Sequence, residues 1–168
     1  MRRILLISLT AVVLLLGGLL WCASQFNLSA LEQPGETETY LATKAKHWLV
    51  GRRAQDITPP RVEDLGQARF AGEMNFGGSC ATCHGSDGRT PSDTGRSQYP
   101  PSPDLGSPVV QEWADAELFW IIKNGIRHSG MPGFGRIHSD EEIWNLVRFV
   151  RSLGEAKKSS GKENSGAN

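Results

Sequence analysis

Cysteine is scarce in this 168-residue chain: there are three, and only Cys80 and Cys83 lie close together. An odd count with a single close pair excludes a disulfide-stapled scaffold. Net charge is missing too, at +0 with 18 basic and 18 acidic residues. With Arg2 and Arg3 set aside the remainder is slightly acidic, so no basic field draws the chain to nucleic acid or another polyanion. From Asp64 to Leu153 there is no run of strand alternation, which points to an all-α domain. Methionine and histidine are few, with three and four residues. Each therefore carries information.

What is present starts at the N-terminus. Arg2 and Arg3 precede an uncharged apolar run from Ile4 to about Ala23. Roughly 20 such residues suffice to cross a bilayer, whereas a secretory apolar region is shorter, at about 7–15. The length favours an uncleaved anchor, with the arginines in the cytoplasm and the rest outside. Cleavage after Ser24 and lipidation of Cys22 are the rivals, the latter opposed by bulky Trp21. All three fates export the remainder.

Residues 24–63 read as a juxtamembrane segment. Pro34-Gly35 breaks the chain, and then Tyr40, Leu41, Ala45, Trp48 and Leu49 recur at helical spacing among Lys44, Lys46, Arg52 and Arg53. An amphipathic helix over about Glu36 to Arg53 is expected. It packs on the following domain, lies on the membrane surface or docks on a partner subunit. His47 reads as a polar-face residue. Pro59-Pro60 marks a linker.

The domain proper is expected over 64–153, and 154–168 as a disordered hydrophilic tail. Leu65, Phe70 and Met74 suggest the buried face of a first helix, with Met74 in the core. Asp115 is positioned to cap a second helix, Ala116 to Asn124, which Gly125 ends. Ser139 and Glu142 form a capping box for a third, whose apolar face is Ile143, Leu146, Val147, Val150 and Leu153. The loops Gly85 to Val110 and Gly125 to His138 are too long for a small domain unless something large fills its middle.

Cys80-Ala81-Thr82-Cys83-His84 supplies a candidate filling. Two cysteines spaced by two residues stand about one helical turn apart on one side, so both thiols reach the same porphyrin and the next histidine reaches its iron. This is a c-type haem attachment pattern. A thioredoxin-like pair needs a strand before it, but Phe76-Gly77-Gly78-Ser79 precedes. A structural zinc site needs a second ligand pair, and none is suitably spaced. For the sixth ligand, Met131 is the one methionine after the motif. Pro132 biases it towards extended backbone, and Gly130, Gly133 and Gly135 permit close approach to a flat ring. His128 and His138 flank it and are possible competitors.

At these residues the chain resembles a class I monohaem cytochrome c over about Gly66 to Leu153. Gly66-x-x-x-Phe70 is similar to the first helix of that family, which implies that Gly66 lets the C-terminal helix cross closely; Cys80-x-x-Cys83-His84-Gly85 is similar to its haem site and Met131-Pro132 to its distal loop. The likeness of Pro103-Asp104-Leu105 to the proximal loop implies that the Pro103 carbonyl orients His84. It implies that Trp113 bonds a haem propionate, unless it only packs. Leu105, Leu118, Ile121, Ile122 and Phe134 are expected to wall the haem.

The resemblance implies a small cytochrome c fold of short helices and long loops wrapped around one covalent haem c. Ahead of it stand a transmembrane helix and an amphipathic helix. It further implies a non-enzymatic carrier of single electrons, with iron ligands His84 and Met131. Redox proteins or a respiratory membrane complex are its expected partners, with no small-molecule substrate. The expected location is the periplasmic face of a bacterial inner membrane. A fixed subunit of an oxidoreductase complex is the alternative, and a haem enzyme or sensor with an open distal site a more distant one.

Overall fold

The computed structural model describes residues 2–25, 29 and 31–164, with side chains described to Glu155. The elements are α1 (Arg2–Ser24), α2 (Glu36–Ala54), α3 (Leu65–Ser79), α4 (Ala81–His84), α5 (Asp93–Arg96), α6 (Pro108–Gln111), α7 (Asp115–Asn124) and α8 (Asp140–Asn164). No strand occurs among the described residues. The all-α expectation therefore holds.

The chain divides into two compact units, the first ending at Glu32 and the second beginning at Gln33. In the first, α1 has 23 residues and none buried. At about 1.5 Å per residue it is roughly 34 Å long, against about 30 Å for a bilayer's hydrocarbon core. Among the described helices it is the one long and apolar enough to cross a membrane.

The second unit is organised by α8. Ser139 N–H donates to Glu142 Oε2 at 2.7 Å and Glu142 N–H to Ser139 Oγ at 3.3 Å, so the capping box starts the helix as expected. Ile143, Leu146, Val147 and Val150 then form its buried stripe, with Trp144 and Phe149 beside it. Phe119 of α7 stacks on Trp144 at 4.5 Å, and Phe76 of α3 meets Phe149 at 5.0 Å. Burial of each such aromatic contributes about 1.5–3 kcal/mol.

Several expectations need correction. Leu65, Phe70 and Met74 are exposed, and the buried residues of α3 are Gly72 and Phe76, on the side opposite Phe70 and Met74. The glycine that admits α8 is Gly72 rather than Gly66. A Cβ on Gly72 would lie 2.1 Å from the Asn145 carbonyl oxygen, whereas one on Gly66 meets only the Asp64 side chain at 3.3 Å. Asp115 does not cap α7. Ala114 is its N-cap residue, and the Glu117 carboxylate accepts the Ala114 N–H at 2.8 Å. Asp115 is thereby free to accept from Arg151 Nε at 2.7 Å, which ties α7 to α8.

α2 packs on α7 and belongs to the second unit. It packs through Thr43, Lys46, His47, Val50, Gly51 and Ala54, and His47 stacks on Trp113 at 3.6 Å. His47 is thus an interior contact. Tyr40, Leu41, Trp48 and Leu49, which the periodicity singles out, face solvent.

At the other end, α8 continues past Leu153 to Asn164 where a disordered tail is expected. Gly154 costs a helix about 1 kcal/mol but does not stop it. Arg69 Nη2 donates to both oxygens of Glu155, at 2.8 and 2.7 Å, holding the next turn. Residues 165–168 lie outside the described chain.

Gly72→Ala is expected to destabilise the holoprotein by about 2 kcal/mol or more, because neither helix backbone yields cheaply to a Cβ. Gly66→Ala should leave the urea midpoint nearly unchanged. Equal midpoints for the two variants would refute this reading of the crossing.

Candidate cofactor site

The site is built where α3 ends. Cys80 closes α3 and opens α4, its N–H donating to Phe76 O at 2.8 Å. One turn of helix then carries Cys83 and His84, and Gly85 ends it at φ 77°. Gly85 has to be glycine: a Cβ there would sit 2.0 Å from Thr90 O, besides the backbone strain.

Cys80 and Cys83 are both free and partly exposed. Burial, reinforced by the neighbouring Cys83, pushes the Cys80 thiol up to about 11. At neutral pH it therefore stays a protonated thiol.

His84 Nδ1 lies 3.3 Å from the Pro103 carbonyl oxygen. A carbonyl only accepts, so Nδ1 carries the proton and Nε2 keeps its lone pair. Burial lowers the His84 pKa and the Pro103 bond only partly offsets this, which favours the neutral ring. Neutral imidazole with a free Nε2 is the form that ligates a metal.

Met131 is placed by the end of α7. Gly125 ends that helix at φ 71°, and Ile126 N–H donates to Met131 O at 3.2 Å. Phe134 N–H then bonds Ile122 O at 3.0 Å, and Gly135 N–H bonds Lys123 O at 2.9 Å. A Cβ on Gly125 would lie 2.6–2.7 Å from the backbone at Met131, Pro132 and Gly133, so the loop is pressed against the helix terminus.

Met131 joins Cys80, Leu105, Ile121, Ile126 and Phe134 as partly buried apolar residues on the rim of the core, whereas Leu118 and Ile122 lie within it. His128, at φ 62°, is exposed. His138 Nε2 is 2.8 Å from Ser79 Oγ, and its ring packs near Phe134.

Of the expected site residues, the structure brings Cys80, Cys83, His84 and Pro103 into one corner, while Cys80, Leu105 and Met131 each pack, partly buried, against the core. Trp113 is buried in the core, with His47 stacked on it and Lys46 Nζ 5.9 Å from its ring centre.

Sequence reasoning missed Gln98. Its Nε2 donates to Cys83 Sγ at 3.2 Å, its Oε1 accepts from Ser102 Oγ at 3.0 Å, and a Cβ on Gly130 would meet its Cδ at 2.3 Å. A lone glutamine in a long loop gives no signal of this. Gly95 was missed as well: a Cβ there would be 1.9 Å from Cys83 O.

The residues fit a covalently attached haem. Two unpaired thiols, an imidazole fixed in its ligating tautomer and a thioether stand beside a partly open apolar rim. Among the described residues no cluster of three or more His, Cys, Asp or Glu side chains is arranged to hold a bare metal ion.

The family described as cytochrome C oxidase, cbb3-type, subunit III matches residues 67–150. Among solved structures, a chain of the reducing HAO-like protein complex of Kuenenia stuttgartiensis is similar with a TM-score of 0.49 and 23% identity. That similarity covers 58% of this chain and 47% of that one, so this chain spans about half its length. No curated protein matches.

Alkylation under denaturing conditions tests the attachment. The haem-loaded chain should take up one thiol reagent, at Cys22, and keep its pigment through acid–acetone extraction. Three modified cysteines with free haem in the extract would overturn it.

Proposed function

Since the chain belongs to the family of cbb3-type cytochrome c oxidase subunit III, we propose that it is a membrane-anchored electron carrier whose single haem c is ligated by His84 and Met131. The observation that supports this most is the His84–Pro103 hydrogen bond, which leaves Nε2 as the bare nitrogen beside two free thiols. When bound, the haem supplies reversible one-electron exchange at its iron.

The chain's own residues do the rest. Cys80 and Cys83 hold the group covalently, and His84 presents Nε2 from the same turn. Pro103 fixes the imidazole's orientation and raises its basicity as a ligand. Met131 offers a soft thioether, which favours a fairly oxidising poise compared with a second histidine. The bonds from Phe134 and Gly135 to the end of α7 hold the Met131 loop against that helix.

Leu105 walls the group, and Trp113, buried in the core beneath His47, backs it from within. With His84 and Met131 both committed to the group, the site would exchange electrons and make no bonds, and its partners would be redox proteins.

α1 is the anchor in this reading. Arg2 and Arg3 orient it with the haem domain on the periplasmic side of a bacterial inner membrane. A tether confines the domain near its partners and raises the effective concentration there. The family's description favours a second form of the same reading, a fixed haem subunit of a membrane oxidoreductase complex.

The oxidised holoprotein should show the weak far-red absorption of sulfur-ligated ferric haem, and Met131→Ala should abolish it while Met74→Ala leaves it intact. Carbon monoxide should bind the reduced Met131→Ala variant and not the parent. A parent that lacks the band and binds carbon monoxide would instead be a sensor or enzyme.

A further inference from the structure

α2 is apolar on two sides. One face, from Thr43 through His47 and Val50 to Ala54, is spent on α7 and Trp113. Directly opposite run Leu41, Ala45 and Trp48 around Arg52, with Leu49 at the margin and Tyr40 further round, towards the packed face. Tyr40, Leu41, Trp48 and Leu49 are 55–61% exposed. A side chain left in water at such a cost over two turns marks an interaction surface.

The composition of the stripe indicates what covers it. Arg52 lies over the Trp48 ring at 5.1 Å and Lys44 over Tyr40 at 5.7 Å, and Arg53 follows. Trp and Tyr bodies with basic tips suit the boundary between acyl chains and headgroups, where aromatic rings stay half wet and cations meet phosphates. Position argues the same way. At about 3.3–3.6 Å per residue, the chain from Ser24 to Glu36 reaches no further than roughly 40 Å. If α1 spans the bilayer, α2 is confined close to its surface. A second copy is a poorer occupant, because pairing two such stripes would bring Lys44, Arg52 and Arg53 of both copies together.

We propose that the Leu41–Trp48 face of α2 lies on the membrane surface, with Leu41, Trp48 and Leu49 in the headgroup boundary and Lys44 and Arg52 on anionic lipid phosphates. α2 then acts as a plinth. The His47–Trp113 stack and the Tyr99 hydroxyl, which donates to Glu38 at 2.7 Å, fix the haem domain to it. The domain is thereby held in one orientation over the bilayer instead of swinging on a free tether. This inference rests on the anchor reading of α1.

The test uses the full haem-loaded chain in vesicles of phosphatidylglycerol and phosphatidylethanolamine, with the photoreactive residue p-benzoylphenylalanine in place of Leu49, Ile137 or Leu14. Irradiation should give lipid adducts at 49 and 14 and none at 137, which is exposed on the loop before α8. Leu41→Glu/Trp48→Glu in the chain labelled at 49 should lose the adduct with an unchanged haem spectrum. Lipid adducts at 14 without any at 49 would overturn the inference and leave the anchor standing. Adducts between copies at 49 would give the face to a second chain and overturn it too. No lipid adduct at 14 would remove the anchor and the inference together.

Discussion

The close crossing of α3 over α8 at Gly72 is the contact on which the site depends. With no side chain at 72, the α3 backbone settles against Asn145 and Phe149 of α8, and Phe76 one turn later is buried at 2% exposure. Cys80 follows after one further turn. The crossing therefore decides where the first thiol stands relative to the core. A shift of α3 by the width of one methyl group would carry Cys80, Cys83 and His84 with it, away from the Pro103 carbonyl. Packing here is prior to chemistry, since the ligating tautomer of His84 depends on that one hydrogen bond.

Much of the site was legible in the sequence because its geometry is local. Cys80, Cys83 and His84 occupy one turn, and Ser139 with Glu142 starts α8 through contacts three residues apart. The register of α3 was not legible. Gly66-x-x-x-Phe70 and Gly72-x-x-x-Phe76 have the same spacing, and only α8 chooses between them. Phe70 and Met74, one turn apart on the outer face, are together more hydrophobic than Gly72 and Phe76, so hydrophobicity pointed outward. Gln98 was illegible for a different reason: its partners Cys83 and Gly130 lie on either side of it in the chain, and a flexible side chain between two loops leaves no periodic trace.

α7 does two jobs that its sequence shows only in part. Its stop at Gly125 is readable as a helix end. What the stop accomplishes is not, because Gly125 turns the chain so that Met131 to Gly135 run back along the helix terminus and satisfy the open carbonyls of Ile122 and Lys123. The groups that every helix leaves unpaired at its C-terminus are used here to hold a methionine loop. At the other end of α7, the Glu117 bond to Ala114 releases Asp115 for Arg151, whose guanidinium also donates to the carbonyl oxygens of Gln111 and Trp113. One arginine of α8 thus pins the segment leading from the proximal loop into α7.

α2 shows why an amphipathic pattern is an incomplete guide to which side of a helix is inside. Its largest apolar residues lie on the outward face, while the inward face uses a histidine, a valine, an alanine and the stem of a lysine. Such a face packs well because its partner is flat: the Trp113 ring accepts the His47 ring at an interplanar angle of 8°, and small Gly51 and Ala54 let the helix approach. Ring stacking of this kind supplies contact area without aliphatic bulk. A sequence reading weighted by hydrophobicity assigns the interior to Leu41, Trp48 and Leu49 and turns the helix round. Once His47 is committed to Trp113, rotation is fixed, and the apolar side chains opposite have no interior left to enter within this chain. Their exposure follows from the stack.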